Sequence, residues 1–320
     1  SPYFDWYRFR EYPDEYDSWW GVKVLPALYS GNPDFRDYIC GEHGILHKWM
    51  SCGVSGWRLD VADELDNRFL DDLRTRVKVE NPDAVIYGEV WEDASNKIAY
   101  DVRKKYYLGE ELDGVMNYPL RNAIIDFAKY GDEKALEYAY TILSRHYPHK
   151  SLLHSMNFLG THDTERILTV LAGREISGEA GSVLAKTRMT EDELKLGKAR
   201  LKLAFALLVC SVGVPFIYYG DEAGCEGYRD PFNRRPYPWG REDGELVEFF
   251  KNTLKLRDTH DALKYGTVDV LKTSRGVIVF KREYENSSIL CIFNANDHGV
   301  SVHLKNKQIT LEPMSFTIEY

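Results

Sequence analysis

Gly56-Trp57-Arg58-Leu59-Asp60-Val61-Ala62-Asp63-Glu64 reads as a buried strand that delivers an arginine and a carboxylate to one mouth. Alternation along a strand puts Trp57, Leu59 and Val61 on one side and Arg58 and Asp60 on the other. Two opposite charges on a shared face are costly to bury and are seldom kept for packing alone. The stretch is therefore expected to be an active-site strand, running from Val54 to Val61.

Two further apolar runs also end in an acid: Val85-Ile86-Tyr87-Gly88-Glu89-Val90-Trp91 and Met156-Asn157-Phe158-Leu159-Gly160-Thr161-His162-Asp163-Thr164. Between the first two strands Leu65, Phe69, Leu73 and Val77 share a helical face, which predicts a helix over 64–79 and a β-α-β unit closed by a strand over 84–90. Upstream, Asn32-Pro33-Asp34 opens a helix predicted to reach Met50. Downstream the alternation continues: a strand over 113–118, helices over 120–130 and 133–147, a strand over 152–159, a helix over 191–209 and a strand over 214–219. Strands that end in acids and alternate with helices are the pattern of a (β/α) barrel, whose active site is built from the strands' carboxyl ends. Five such strands are counted. After Asp261 the texture changes to short alternating strands, over 268–271, 277–280, 289–293, 300–304 and 316–318, which predict a small all-β antiparallel sandwich.

In this order, Gly-Trp-Arg-Leu-Asp-Val-Ala (56–62), Gly-Glu-Val-Trp (88–91) and Gly-Thr-His-Asp-Thr-Glu-Arg (160–166) resemble the strand ends of the alpha-amylase superfamily. These are the retaining glycoside hydrolases of family 13, and the wording resembles the neopullulanase, cyclomaltodextrinase and maltogenic amylase branch. The resemblance implies an α/β fold, a partial TIM (β/α)8 barrel of strands four to eight followed by the sandwich. It divides the chain into a remnant of the loop subdomain after strand three (1–33), the barrel portion with the catalytic carboxylates (34–261) and the C-terminal sandwich (262–320). The family's Asp-x-x-x-Asn-His segment has no counterpart before Val54. The resemblance assigns Asp60 as nucleophile and Glu89 as general acid and base, and sets Asp163 and His162 against the sugar's hydroxyls. Asp230 and Arg234, within Asp230-Pro231-Phe232-Asn233-Arg234, match the family's pair for distal sugar hydroxyls.

Retaining cleavage needs an attacking carboxylate and a proton-donating carboxylic acid about 5 Å apart. Arg58 would keep Asp60 ionised, whereas Tyr87, Val90 and Trp91 around Glu89 suit an acid that must carry a proton. Each acid taken alone could instead cap a helix, and Asp230 with Arg234 could form a salt-bridged turn. Trp91 is expected as a platform for a sugar ring, and Trp19-Trp20 fits either a glucan subsite or the core of the loop segment.

The balance of 50 acids against 41 bases, a formal charge of -9, argues against a nucleic-acid partner and suits a neutral alpha-glucan or maltooligosaccharide. No cofactor is expected. The five cysteines are scattered and form neither a zinc motif nor a disulfide framework, so a reducing, cytoplasmic compartment is expected. Apolar runs fall short of membrane-spanning length, so no membrane partner is expected. His43 and His47 are spaced i, i+4 but lack a third ligand, so no metal site is expected. Absent barrel strands predict a poorly active fragment that self-associates through exposed edges. The alternative is a non-catalytic amylase-like binding or assembly protein, which would be expected to have lost its acids. This chain keeps all three.

Overall fold

Short-range signals decide where the helices begin and end. The computed structural model describes residues 1–176, 178, 180–304 and 307–320. The chain divides into two compact units, Ser1–Val115 and Met116–Tyr320.

In the first unit, the Asn32 side chain accepts a hydrogen bond from the Phe35 N–H and caps the Pro33–Cys40 helix. The single helix expected to Met50 is broken into Pro33–Cys40 and Ile45–Ser51. A Cβ at Gly41 would stand 2.4 Å from the Asp37 carbonyl, so the chain closes the first helix with glycine and turns. Strand β1 (Gly56–Leu59) runs parallel to β2 (Val85–Gly88), with Arg58 opposite Tyr87, and β2 runs parallel to β3 (Gly114–Val115). The crossover helix, Asn67–Glu80, is capped by Asp66 and buries Phe69, Leu70, Leu73 and Val77. It starts three residues later than its periodicity suggested, because Ala62–Glu64 winds into a 3-10 turn first.

The second unit opens with the Tyr118–Tyr130 helix, capped by Asn117, and the Glu133–His146 helix. Strand β4 (Met156–Asn157) is parallel to β5 (Val214–Pro215) and is bridged on its other side by Met116. The strand expected over 152–159 is shorter because His149–Leu153 closes a helical turn. The Glu191–Cys210 helix starts with a capping box between Thr190 and Glu193. Its second half, from Leu201 to Cys210, is almost entirely buried, including Leu203 to Cys210 without a break.

The antiparallel sandwich follows: β6 (Thr267–Ser274), β7 (Val277–Tyr284), β8 (Ser287–Asn294), β9 (Val300–Leu304), β10 (Lys307–Leu311) and β11 (Ser315–Glu319). One sheet has the order β6-β7-β8-β11, and β9-β10 is a separate hairpin. Val277, Val279 and Ile292 pack against Val302, Ile309 and Leu311, the core between the two layers. Arg275 and Gly276 both take positive φ, which closes the β6–β7 hairpin with a two-residue turn.

The architecture is thus a partial (β/α)8 barrel followed by an antiparallel β-sandwich. Among the described residues five parallel barrel strands are present, where a closed barrel has eight. Among the same residues, no helix is long and apolar enough to cross a membrane.

Candidate active site

In the first unit, β1 ends at Leu59 and the chain turns sharply. Val61 sits at φ 37°, ψ 64°, a left-handed conformation that a β-branched residue rarely adopts. The sequence reading kept Val61 on the strand. Instead, its backbone N–H points at Glu89 and donates to Oε2 at 3.0 Å. Backbone pairing continues past both strand ends, from the Glu89 N–H to the Leu59 carbonyl at 2.9 Å and from the Ala62 N–H to the Glu89 carbonyl at 3.1 Å. This locks the two acids into register.

Arg58 serves both acids. One terminal nitrogen hydrogen-bonds Asp60 Oδ1, and the other lies 2.8 Å from Glu89 Oε2, a charge contact and not an aligned hydrogen bond. The sequence reading assigned Arg58 to Asp60 alone. The two carboxylates differ sharply in exposure: the Asp60 side chain is 66% exposed and that of Glu89 is 2% exposed. Trp91 donates its indole N–H to Glu89 Oε1 at 3.0 Å and leaves about half its surface open.

Beside them, a groove of about 820 Å³ is lined by Tyr16, Trp19, Tyr29, Asp63, Glu64 and Tyr100, among others, but not by Asp60 or Glu89. Trp19 is half-buried and meets Trp20 edge-on, while Trp20 is exposed. Trp19 is the member of the pair that lines the groove.

The second unit holds the other four predicted residues. His162 Nε2 lies 3.1 Å from Asp163 Oδ2, and Arg234 reaches Asp163 Oδ1 at 3.5 Å and Asp230 Oδ1 at 2.7 Å. The Asp163 N–H donates to the Thr161 hydroxyl at 3.2 Å, and the Thr161 N–H donates to the Thr164 hydroxyl at 3.0 Å. All four side chains are polar and partly exposed, an arrangement suited to a polar, many-hydroxyl ligand.

Beneath this cluster lies machinery that sequence reasoning did not single out. Arg166 is fully buried, pairs with Asp221 at 3.2 Å and carries the Tyr218 and Tyr219 rings 4.3 and 4.6 Å from its guanidinium carbon. Burial pushes the Asp221 carboxyl up to about 7 against the opposing pull of Arg166. Gly160 makes room for that carboxylate, since a Cβ there would stand 2.5 Å from Asp221 Oδ2. Asn233, also fully buried, donates to the carbonyls of His162 and Thr164. The signals were present, Arg166 closing one quoted motif and Asn233 lying inside another. What was missing was any local sign that they are buried.

Among the described residues, no group of three or more His, Cys, Asp or Glu side chains is arranged to hold a metal ion. His47 pairs with Glu80 across 2.9 Å, and its ring sits 6.0 Å from that of His43.

Acids delivered by the ends of parallel strands, one open and one enclosed, stand where (β/α) barrel enzymes build their active sites and are the side-chain type that glycoside hydrolysis uses. The family model described as alpha amylase, catalytic domain, matches residues 4–264, and the chain belongs to that family. It is 35% identical over 312 residues to an amylopullulanase of Thermoanaerobacter thermohydrosulfuricus, covering 89% of this chain and 20% of that protein. It is 33% identical over 306 residues to a cyclomaltodextrinase of Thermoanaerobacter pseudethanolicus, covering 92% of this chain and 47% of that protein. The chain thus spans between a fifth and a half of these relatives. A solved cyclic alpha-maltosyl-(1-->6)-maltose hydrolase from Arthrobacter globiformis superposes with a TM-score of 0.83 at 25% identity, over 100% of this chain and 69% of that one.

Proposed function

We propose that this chain carries the catalytic residues of a retaining alpha-glucan hydrolase that cleaves alpha-1,4 and alpha-1,6 glucosidic bonds through a covalent glycosyl-enzyme. Asp60 attacks the anomeric carbon. Glu89 protonates the departing oxygen and then activates water. Trp91 packs against a sugar ring, His162 and Asp163 take hydroxyls of the reacting sugar, and Asp230 and Arg234 hold a more distal one. Arg58 orients both reacting acids.

The observation that carries this reading is the pair of carboxylates on one guanidinium: two acids that share the terminal nitrogens of one arginine are near neighbours, which supports the closer retaining spacing of about 5 Å. Their exposures suit the roles: an open carboxylate can reach carbon, and an enclosed one can hold and pass a proton. The names of the relatives, amylopullulanase and cyclomaltodextrinase, support an alpha-glucan substrate. Free cysteines throughout support a reducing, cytoplasmic setting.

The test is product release from maltotriose and beta-cyclodextrin by the chain and by Glu89→Gln, with the anomer of the first product followed by proton NMR. Release of the alpha anomer by the native chain, slow because five barrel strands hold the site where a closed barrel has eight, and lost in the variant, is expected. Release of the beta anomer, or turnover untouched by the substitution, would overturn the proposal.

A further inference from the structure

We propose that Asn233 is a positioning residue that fastens the segment bearing Asp230 and Arg234 to the segment bearing His162 and Asp163, so that a sugar held by the first is registered at the second. The proposal rests on reading those four residues as sugar-binding. Asn233 is 0% exposed, and its side-chain amide donates at 2.7 Å to the His162 carbonyl and at 2.7 Å to the Thr164 carbonyl. These two carbonyls flank Asp163 in the chain, so the amide straddles the residue whose side chain Arg234 contacts at 3.5 Å.

Asn233 and Arg234 share one 3-10 turn, Phe232–Arg234, and therefore move as a piece. Both side-chain N–H groups are used, and the orientation of the amide is set because carbonyls accept only from its nitrogen. Its Oδ1 is buried without a hydrogen-bond partner among the described residues. A buried orphan acceptor is a standing cost, tolerated where the two donor bonds are needed. Aspartate has the same shape but cannot donate, and leucine can do neither.

The consequence is mechanical coupling. Remote binding contacts speed a reaction only when their energy reaches the reacting centre. With the amide in place, Arg234 is held against Asp163 while it grips Asp230. Without it the contact of Arg234 with Asp163 is a partly exposed charge pair, which solvent screens.

Two readouts test this, in Asn233→Asp and Asn233→Leu. In hydrogen exchange followed by mass spectrometry, peptides covering 160–165 and 230–235 should exchange at least tenfold faster in both variants, with 267–294 unchanged. In kcat/KM for maltotriose, Asn233→Leu should cost at least tenfold, the factor that about 1.4 kcal/mol represents. That loss should largely vanish when Arg234→Ala is already present. Unchanged exchange, exchange accelerated throughout the chain, or fully additive losses would each overturn the clamp. Absence of sugar turnover by the native chain would count against the proposed function, and the exchange result would still decide the clamp.

Discussion

Replacing Arg58 separates two roles that one guanidinium combines. It binds Asp60 through one nitrogen and stands 2.8 Å from Glu89 through the other. Arg58→Ala leaves the Glu89 carboxylate, 2% exposed, without its cation, and breaking one side of a buried ion pair costs about 3–5 kcal/mol of stability. The Val61 and Trp91 N–H groups remain on Glu89, so the lower end, about 3 kcal/mol, is expected. Arg58→Lys keeps a charge but offers one compact ammonium where two carboxylates need a planar fork. It should recover up to about half of that stability, still losing one contact to a charged group, about 1.5–3 kcal/mol. If that contact persists in the transition state, kcat/KM falls roughly 10- to 150-fold. Urea denaturation and turnover of maltotriose, run on both variants, are the assays. A lysine variant within threefold of native turnover, or an alanine variant that loses less than about 1 kcal/mol, would refute the shared-cation argument.

Two other buried groups make separate predictions. Asp221 holds its proton up to about 7 in the folded chain, above the ordinary 3.8; the folded state therefore binds the extra proton between these values, and its contribution to stability is full below pH 4 and lost as pH rises to 7. The native chain should lose on the order of 4 kcal/mol across that window relative to Asp221→Asn, measured as urea midpoints at successive pH; parallel curves for the two proteins would exclude the effect. Arg282 is fully buried and donates to the carbonyls of Cys210, Leu263, Gly266 and Thr267, tying the end of the Glu191–Cys210 helix to the sandwich. Burial, together with the Arg282 charge, holds Arg257 down to about 10, so Arg282→Met removes one repulsion while taking a donor from four carbonyls, of which that of Leu263 keeps Arg257. The net expected loss is about 3 kcal/mol, and a chemical denaturation curve superimposable on the native one would contradict it.

Much of the fold was legible because its signals are local. Asp66, Asn117, Thr190 and Asn32 cap the helices that follow them, and each bond spans two or three residues. Strand β10, Lys307–Leu311, was missed because its outward positions are polar and only Ile309 and Leu311 turn inward. It is a strand by virtue of its pairing with β9, which no short window displays. Shortened barrel strands have a related cause: the acids lie just beyond the ladder, where the chain must leave the sheet.

Sequence alone determined which acids stand at strand ends, that Arg58 and Asp60 share a face, and that Asp230 and Arg234 can pair, because side-chain direction follows the short repeat of the backbone. Tertiary structure alone decided that Arg58 also serves Glu89, that a left-handed Val61 turns its amide onto the same carboxylate, and that Asn233 reaches back to His162 and Thr164. Those contacts join residues 28 to 71 apart in the chain. Their geometry depends on strand register and on which groups are removed from water, and neither is written in any run of neighbouring residues.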